Sequence, residues 1–266
     1  MTDDLLIETR GPIEIATLNR PNTLNAMSAS LISALDAYFR GLQDRPEIRV
    51  VLFRGAGRAF CAGLDLTPGS WPADTTLGAV QSGWKTQRAI ATVMQLMRQC
   101  PQPIIALGHG AACGGGFSLL LSSDVRFAAP SLKANAAYIK IGLGGCDMGS
   151  SYFLPRLVGA SVASEYLLTG KFMTADKARE CGLVSALVEE EALLDTGLTL
   201  AEEMLATSPM GLRMTKDALA RNIDAPSFEA ALAIEDRQQV MLAQTRDFTE
   251  AKRAFAEKRA PRYEDR

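Results

Sequence analysis

Five glycines, Gly108, Gly110, Gly114, Gly115 and Gly116, fall within nine residues, between the apolar run Pro103–Leu107 and the segment Phe117–Leu121. The run before them is rich in β-branched residues and follows a proline, which reads as a buried strand. The segment after them has the composition and length of a helix. A strand, a glycine turn and a helix start together expose backbone N–H groups, because glycine admits close approach and the first N–H groups of a helix lack intrahelical acceptors. Such donors suit a phosphate, or an oxygen that becomes negative during a reaction. The same glycines would equally serve only to let a helix pack tightly on a sheet.

The rest of the chain sets this stretch in an α/β frame. Leu5–Glu8 and Ile13–Leu18 alternate as a hairpin through Arg10-Gly11-Pro12, and Ile48–Phe53 reads as a strand covered on both faces. Ser28 is placed to cap a helix bearing Leu31, Ile32, Leu35, Tyr38, Phe39 and Leu42. A second glycine-bearing turn, Gly55–Leu66, follows the strand. Residues 67–83, punctuated by Pro68, Gly69, Pro72, Gly78 and Gly83, read as a long loop with the character of a lid, ahead of a helix over Trp84–Arg98. Asp124–Ala128 reads as a strand, and Gly142–Gly149 as a further glycine run before a helix over Ser150–Leu157. From Ser161 the texture is helical, over 162–168, 175–180, 190–206, 210–221, 228–244 and 248–258, interrupted by one strand at Leu183–Val188. That order predicts an α/β core over residues 1–200 and a C-terminal helical region over 201–266.

Composition excludes several roles. In 266 residues there are 28 Lys and Arg against 30 Asp and Glu, so no basic surplus exists to neutralise a nucleic acid. No apolar run reaches membrane-spanning length, and no apolar h-region follows the acidic start, so neither a membrane partner nor a signal peptide is expected. The cysteines at 61, 100, 113, 146 and 181 are scattered and odd in number, which reads as free thiols in a reducing, cytoplasmic setting. The single histidine, His109, rules out a histidine-rich metal site, and no metal is expected. The stretch Gly108–Cys113 lacks the third glycine of GxGxxG, so a dinucleotide fold fails.

The ordered motifs Asn19-Arg-Pro, Asn25-Ala-Met, Ala59–Leu66, His109–Gly116, Ser123–Ala128, Leu154–Gly159, Leu168–Lys171 and Phe255–Arg259 resemble those of the crotonase superfamily, the enoyl-CoA hydratase/isomerase family. The resemblance runs over residues 5–263. It implies an α/β crotonase spiral of ββα units with a C-terminal helical trimerisation region, assembled as a homotrimer or a dimer of trimers. It also implies acyl-CoA thioesters as ligands, with coenzyme A entering as part of the substrate and no tightly bound cofactor. The oxyanion donors carried over are the N–H groups of Leu64 and Gly115, so that the side chain at 64 is nearly free to vary. The CoA moiety would lie along Arg20, Ala62, Gly63, Asp65 and Leu66, with Asp65 alternatively a helix cap. Lys258, Arg259 or Arg262 would reach a neighbouring subunit's CoA phosphate, or line a solvated helix face.

The resemblance also marks a departure. The two glutamates that handle water in hydratases of the family fall on Ser118 and Tyr138, and neither is a good base at neutral pH, a tyrosine titrating near 10. Asp147 is the replacement acid/base, its alternative reading being a cap for the helix at Ser150. Isomerisation or another proton transfer is therefore expected over 2-enoyl-CoA hydration. The alternatives are a hydratase with atypical water activation and a non-catalytic acyl-CoA binder. A serine hydrolase would require His109 beside Ser118 or Ser150. His109 itself reads as a buried, hydrogen-bonded structural residue, and Cys61 and Cys113 as packing residues.

Overall fold

The computed structural model describes residues 4–266. A six-stranded sheet, in the order β1-β2-β3-β4-β6-β9, forms the centre: β1 (Leu5–Arg10), β2 (Ile13–Leu18), β3 (Val50–Gly55), β4 (Ile104–Gly108), β6 (Val125–Ala128) and β9 (Ala186–Leu187). Only β1 is antiparallel to its neighbour, closing a hairpin in which Gly11 takes a left-handed φ of 58°. The other pairings are parallel, with Ile13 opposite Val50 and Val51 opposite Ile104. Parallel strands must be crossed over and covered on both faces, which is why β3 and β4 carry almost unbroken apolar sequence and β2 is buried along most of its length.

One face is covered by α1 (Ala29–Gly41), α2 (Ala79–Gln99) and α3 (Gly115–Ser122). Ser28 caps α1 as its sequence suggests, its Oγ accepting the Leu31 N–H at 3.2 Å. Phe39, Phe53 and Phe60 stack edge to face across this core, with centroids 6.0 and 5.6 Å apart, each pair adding about 0.5–1.5 kcal/mol beyond area burial. The opposite face meets α7 (Leu193–Leu205), whose Gly197 lies so near the sheet that a Cβ there would sit about 3 Å from Leu52 and Leu107. This helix spans the expected boundary at residue 200.

A second, three-stranded sheet, in the order β5-β7-β8, was not expected from the sequence. Its members, β5 (Ala111–Cys113), β7 (Lys133–Asn135) and β8 (Met173–Thr174), are too short to show alternation. The remaining helices are α4 (Ser150–Val158), α5 (Ala160–Thr169), α6 (Ala175–Glu180), α8 (Pro209–Asn222), α9 (Phe228–Leu242) and α10 (Arg246–Ala256).

Three expectations are corrected. The helix expected from Trp84 starts at Ala79, five residues earlier, so the loop before it ends at residue 78. The glycine triplet is not all turn: Gly115 and Gly116 are the first residues of α3. The strand expected over Leu183–Val188 shrinks to Ala186–Leu187, because Leu183 and Val184 instead donate their N–H groups to Ala178 at the end of α6.

The C-terminal helices are anchored by a buried cation. Lys216 of α8 is 5% exposed, and its Nζ lies 2.9 Å from Asp124 Oδ2, 3.0 Å from the Met97 carbonyl and 2.7 Å from that of Gln102. Asp124 also accepts from Arg98 Nη1 at 2.6 Å and from the Ile104 N–H at 2.8 Å. The charge is thus both paired and fully hydrogen-bonded, the condition for tolerating it inside a protein.

Candidate active site

The site is assembled from three chain segments sewn together by backbone hydrogen bonds. Asn25, in the loop between β2 and α1, staples the turn after β3: its Nδ2 donates to the carbonyls of Ala56 and Ala59 at 2.9 and 2.8 Å, and its Oδ1 accepts the Arg20 N–H at 2.8 Å. Asn25 has a left-handed φ of 57°, which asparagine tolerates better than most residues. Leu64 then forms a parallel bridge with Met27. In that bridge Met27 N–H donates to Gly63 at 2.7 Å and Asp65 N–H donates to Met27 at 2.9 Å. Since consecutive N–H groups of an extended chain point to opposite sides, the Leu64 N–H faces away from Met27.

A second bridge joins this turn to the glycine stretch, with Cys61 N–H donating to Ala111 and Cys113 N–H to Cys61, both at 2.9 Å. The main chains come so close that a Cβ on Gly63, whose φ is 101°, would lie 2.7 Å from the Cys113 oxygen and 3.6 Å from the Gly115 nitrogen. Gly115 opens α3, where an N–H has no intrahelical acceptor. Among the described residues, neither the Leu64 nor the Gly115 N–H donates to another backbone group. Two free donors from separate loops are therefore left where these chains meet, a niche in which Leu64 is half-buried and Gly115 buried.

Around them lie hydroxyls and one carboxylate. Ser118, in the first turns of α3, is fully buried and its Oγ donates to the Asp147 carbonyl at 3.4 Å. Tyr138, in the 3-10 turn Ala137–Ile141, is 5% exposed, and its ring packs beside Gly114. Its buried Oη has no hydrogen-bond partner among the described residues, although the hydroxyls of Ser150 and Ser118 face it. Burial raises the phenol pKa and outweighs the opposing pull of these two hydroxyls. Asp147 is half-buried in the run before α4. Its Oδ1 accepts both the Met148 N–H at 2.7 Å and the side-chain amide of Gln87 at 2.5 Å. The side chain does not cap α4; instead the Ser150 hydroxyl accepts the Asp147 N–H at 3.1 Å. The capping reading of Asp147 is corrected accordingly.

Of the residues expected along the CoA, Ala62 is half-buried and Leu66 is 64% exposed beside the niche, while Gly63 is buried against the glycine stretch. Asp65 is 4% exposed and turned inward: Oδ2 pairs with Arg20 Nη1 at 2.9 Å and Oδ1 accepts the Thr67 N–H at 3.0 Å. Burial raises the Asp65 pKa, but the Thr67, Arg20 and Ser70 hydrogen bonds win and hold it at about 2. Arg20 also donates to the Ala26 carbonyl. This pair braces the turn, and no helix begins at Asp65 for it to cap. In the tail, Arg259 is held by Glu250 at 2.6 Å and by Glu257 at 2.5 Å.

His109 is buried with Nε2 2.9 Å from the Gly57 carbonyl, and it bonds neither Ser118 nor Ser150. The geometry a serine hydrolase needs is therefore not assembled. Burial pushes the thiols of Cys61 and Cys113 up to about 12 and about 11, as befits packing residues. Among the described residues no cluster of three His, Cys, Asp or Glu could hold a metal, and no helix is long and apolar enough to cross a membrane.

A family model described as enoyl-CoA hydratase/isomerase matches residues 8–266. The chain belongs to the enoyl-CoA hydratase/isomerase family. A Mycobacterium tuberculosis protein named "Probable enoyl-CoA hydratase" is 37% identical over 265 residues, covering 98% of this chain and 93% of that one. The 1,2-epoxyphenylacetyl-CoA isomerase of Escherichia coli is 30% identical over 263 residues, covering 99% of each. The crystal structure of an enoyl-CoA hydratase from Bacillus anthracis superposes with a TM-score of 0.91 at 30% identity, covering 99% of this chain and all of that one. The crotonase architecture expected from the motifs is thus the one observed.

Sequence reasoning missed two contributors. Gln87 sits sixty residues from Asp147, on the exposed first turns of α2 before its buried stripe begins, with no local signal. Ser150 was read as a helix start and as a candidate hydrolase serine, yet its hydroxyl instead fixes the Asp147 main chain.

Proposed function

We propose that this chain is an acyl-CoA-processing enzyme that stabilises a thioester enolate with the Leu64 and Gly115 N–H groups and moves a proton with Asp147. The reaction class favoured is double-bond isomerisation, or a related proton transfer, over hydration of a 2-enoyl-CoA. The observation that carries this reading is the pair of unpartnered N–H groups together with Asp147, whose main chain is tied to Ser118 of α3 and whose carboxylate is held by the Met148 N–H and Gln87.

In the step proposed, the Asp147 carboxylate takes a proton from the α carbon of a 3-enoyl thioester. The C–H electrons form the enolate, and the charge gathers on the carbonyl oxygen between the two donors. Each such donor is worth about 3–4 kcal/mol in a comparable oxyanion hole. The proton then returns from Asp147 to the γ carbon, and the double bond comes into conjugation. Tyr138, kept as a neutral phenol by burial, is suited to donate a hydrogen bond rather than to activate water. In this reading the CoA lies along Ala62 and Leu66, and Arg20 and Asp65 shape that turn.

A second reading, hydration without the two glutamates, draws on the unpartnered Tyr138 Oη near Ser118 and Ser150, a polar recess of the kind that holds a water. The homotrimer or dimer of trimers is proposed from the exposed apolar side chains Leu219, Phe228, Val240 and Phe255 on α8–α10, and from α9, which buries none of its residues. A monomer in light scattering would remove that proposal. Five free cysteines fit a cytoplasmic setting.

The test is turnover of 2-enoyl- and 3-enoyl-CoAs in deuterated water, read by mass spectrometry. Deuterium at the α or γ carbon, lost by about 100-fold or more in Asp147→Asn, is the expected result. Net hydration retained in Asp147→Asn would overturn the reading in favour of the hydratase. CoA binding with no exchange at all would leave a non-catalytic binder.

A further inference from the structure

We infer that Gln87 of α2 is a positioning residue for Asp147, an inference that rests on the proposed role of that carboxylate. The buried stripe of α2 runs through Ile90, Met94 and Met97. Gln87 lies three residues before Ile90, so the same stripe, continued one turn toward the helix start, delivers its side chain to the run before α4. There the amide Nε2 meets Asp147 Oδ1 at 2.5 Å. The Met148 N–H meets the same oxygen at 2.7 Å, from a residue in the left-handed region at φ 47°.

The consequence is an asymmetric carboxylate. Oδ1 is fixed by two donors, while Oδ2 has no partner among the described residues, and no Lys or Arg forms an ion pair with Asp147. A carboxyl rotates about a soft terminal torsion. Two donors on one oxygen stop that rotation and leave Oδ2 as the oxygen that carries the proton. The main-chain bond from Met148 is invariant to side-chain replacement, so Gln87 is the adjustable half of the clamp. Because Gln87 is exposed and outside the apolar core, replacing it leaves the fold intact.

The test is a series at position 87, measured in the exchange assay with Asp147→Asn as a parallel control. Gln87→Met, which keeps length and loses the donor, is expected to lower kcat about tenfold with KM within twofold, because orientation of the reacting group is lost and substrate binding is not. Gln87→Glu, which sets an acceptor against an acceptor, is expected to be worse than Met. Gln87→Lys, which restores a donor but sets a cation on the carboxylate and so weakens it as a base, is expected to recover only part of the loss. In the resting protein, the Gln87 side-chain amide protons are expected to shift in the NMR spectrum of Asp147→Asn. Equal kcat for Met, Glu and Lys, or amide protons unmoved by Asp147→Asn, would overturn the role of Gln87 alone. Full exchange activity in Asp147→Asn would instead overturn the carboxylate's role, and the inference with it.

Discussion

Replacing Gly116 by alanine tests the site through its main chain. The added Cβ would sit 2.1 Å from the Cys61 carbonyl oxygen and 2.8 Å from the Cys61 Cβ, about 1 Å inside the closest contact a real Cβ makes. The oxygen cannot retreat, since it accepts the Cys113 N–H at 2.9 Å while the Cys61 N–H is held by Ala111. What yields is the start of α3, and with it the adjacent Gly115 N–H. Overpacking of this kind costs about 1–3 kcal/mol of stability, a fall in Tm of roughly 2–4 °C per kcal/mol for a chain of this size. The larger effect falls on catalysis: an oxyanion donor moved by about 1 Å forfeits most of its roughly 3–4 kcal/mol, a loss on the order of 100- to 1000-fold. The assay is α-deuterium exchange into an acyl-CoA, which reads enolate formation whatever the net reaction, with Tm measured in parallel. A folded Gly116→Ala protein exchanging within threefold of the parent would refute the placement of the donor. Gly83→Ala is the control, because nothing lies within 4 Å of its added methyl and it sits inside α2, where alanine is the better helix former by about 1 kcal/mol.

Two further outcomes follow from the charge network. The Asp65 pKa is depressed in the folded state, so its contribution is present above the unfolded value near 4 and fades as pH falls toward 2; acid unfolding of Asp65→Asn should lack about 1–2 kcal/mol of pH-dependent stability across that window, and a parallel acid titration curve would contradict it. Lys216→Met removes the cation from Asp124 and leaves the Met97 and Gln102 carbonyls only the weak Cys100 thiol to share, a cost of about 2–4 kcal/mol in urea unfolding; a variant as stable as the parent would show that Arg98 alone suffices to balance Asp124.

What could be read in the sequence followed the length of the signal. The strands of the large sheet other than β9, and the helices after residue 160, are long enough for apolar pattern to place them within a few residues. The second sheet was invisible because strands of two or three residues, such as Met173–Thr174 and Ala111–Cys113, show no alternation, and they exist through tertiary pairing alone. Gly78, Gly83 and Pro72 gave the segment before α2 the look of a loop, yet Gly83 is helical, since packing of Ile90, Val93 and Met97 carries the helix past it. Positions 64, 115, 118, 138 and 147 were reached through motif order rather than local pattern. That Asp65 turns inward to Arg20 depends on a fold-level contact that no local spacing encodes.

The double bridge that joins Leu64 to Met27 and Cys61 to Ala112 separates what this chain inherits from what it can exchange. The proposed charge-stabilising pair belongs to the backbone frame, which tolerates side-chain change except where glycine is required, as at Gly63 and Gly116. The reagents, Ser118, Tyr138 and Asp147, are single residues on α3, a 3-10 turn and a loop outside that frame. On the proposed reading, the reaction can therefore be altered by substituting these few residues while the strands and bridges that hold the donors stay in place.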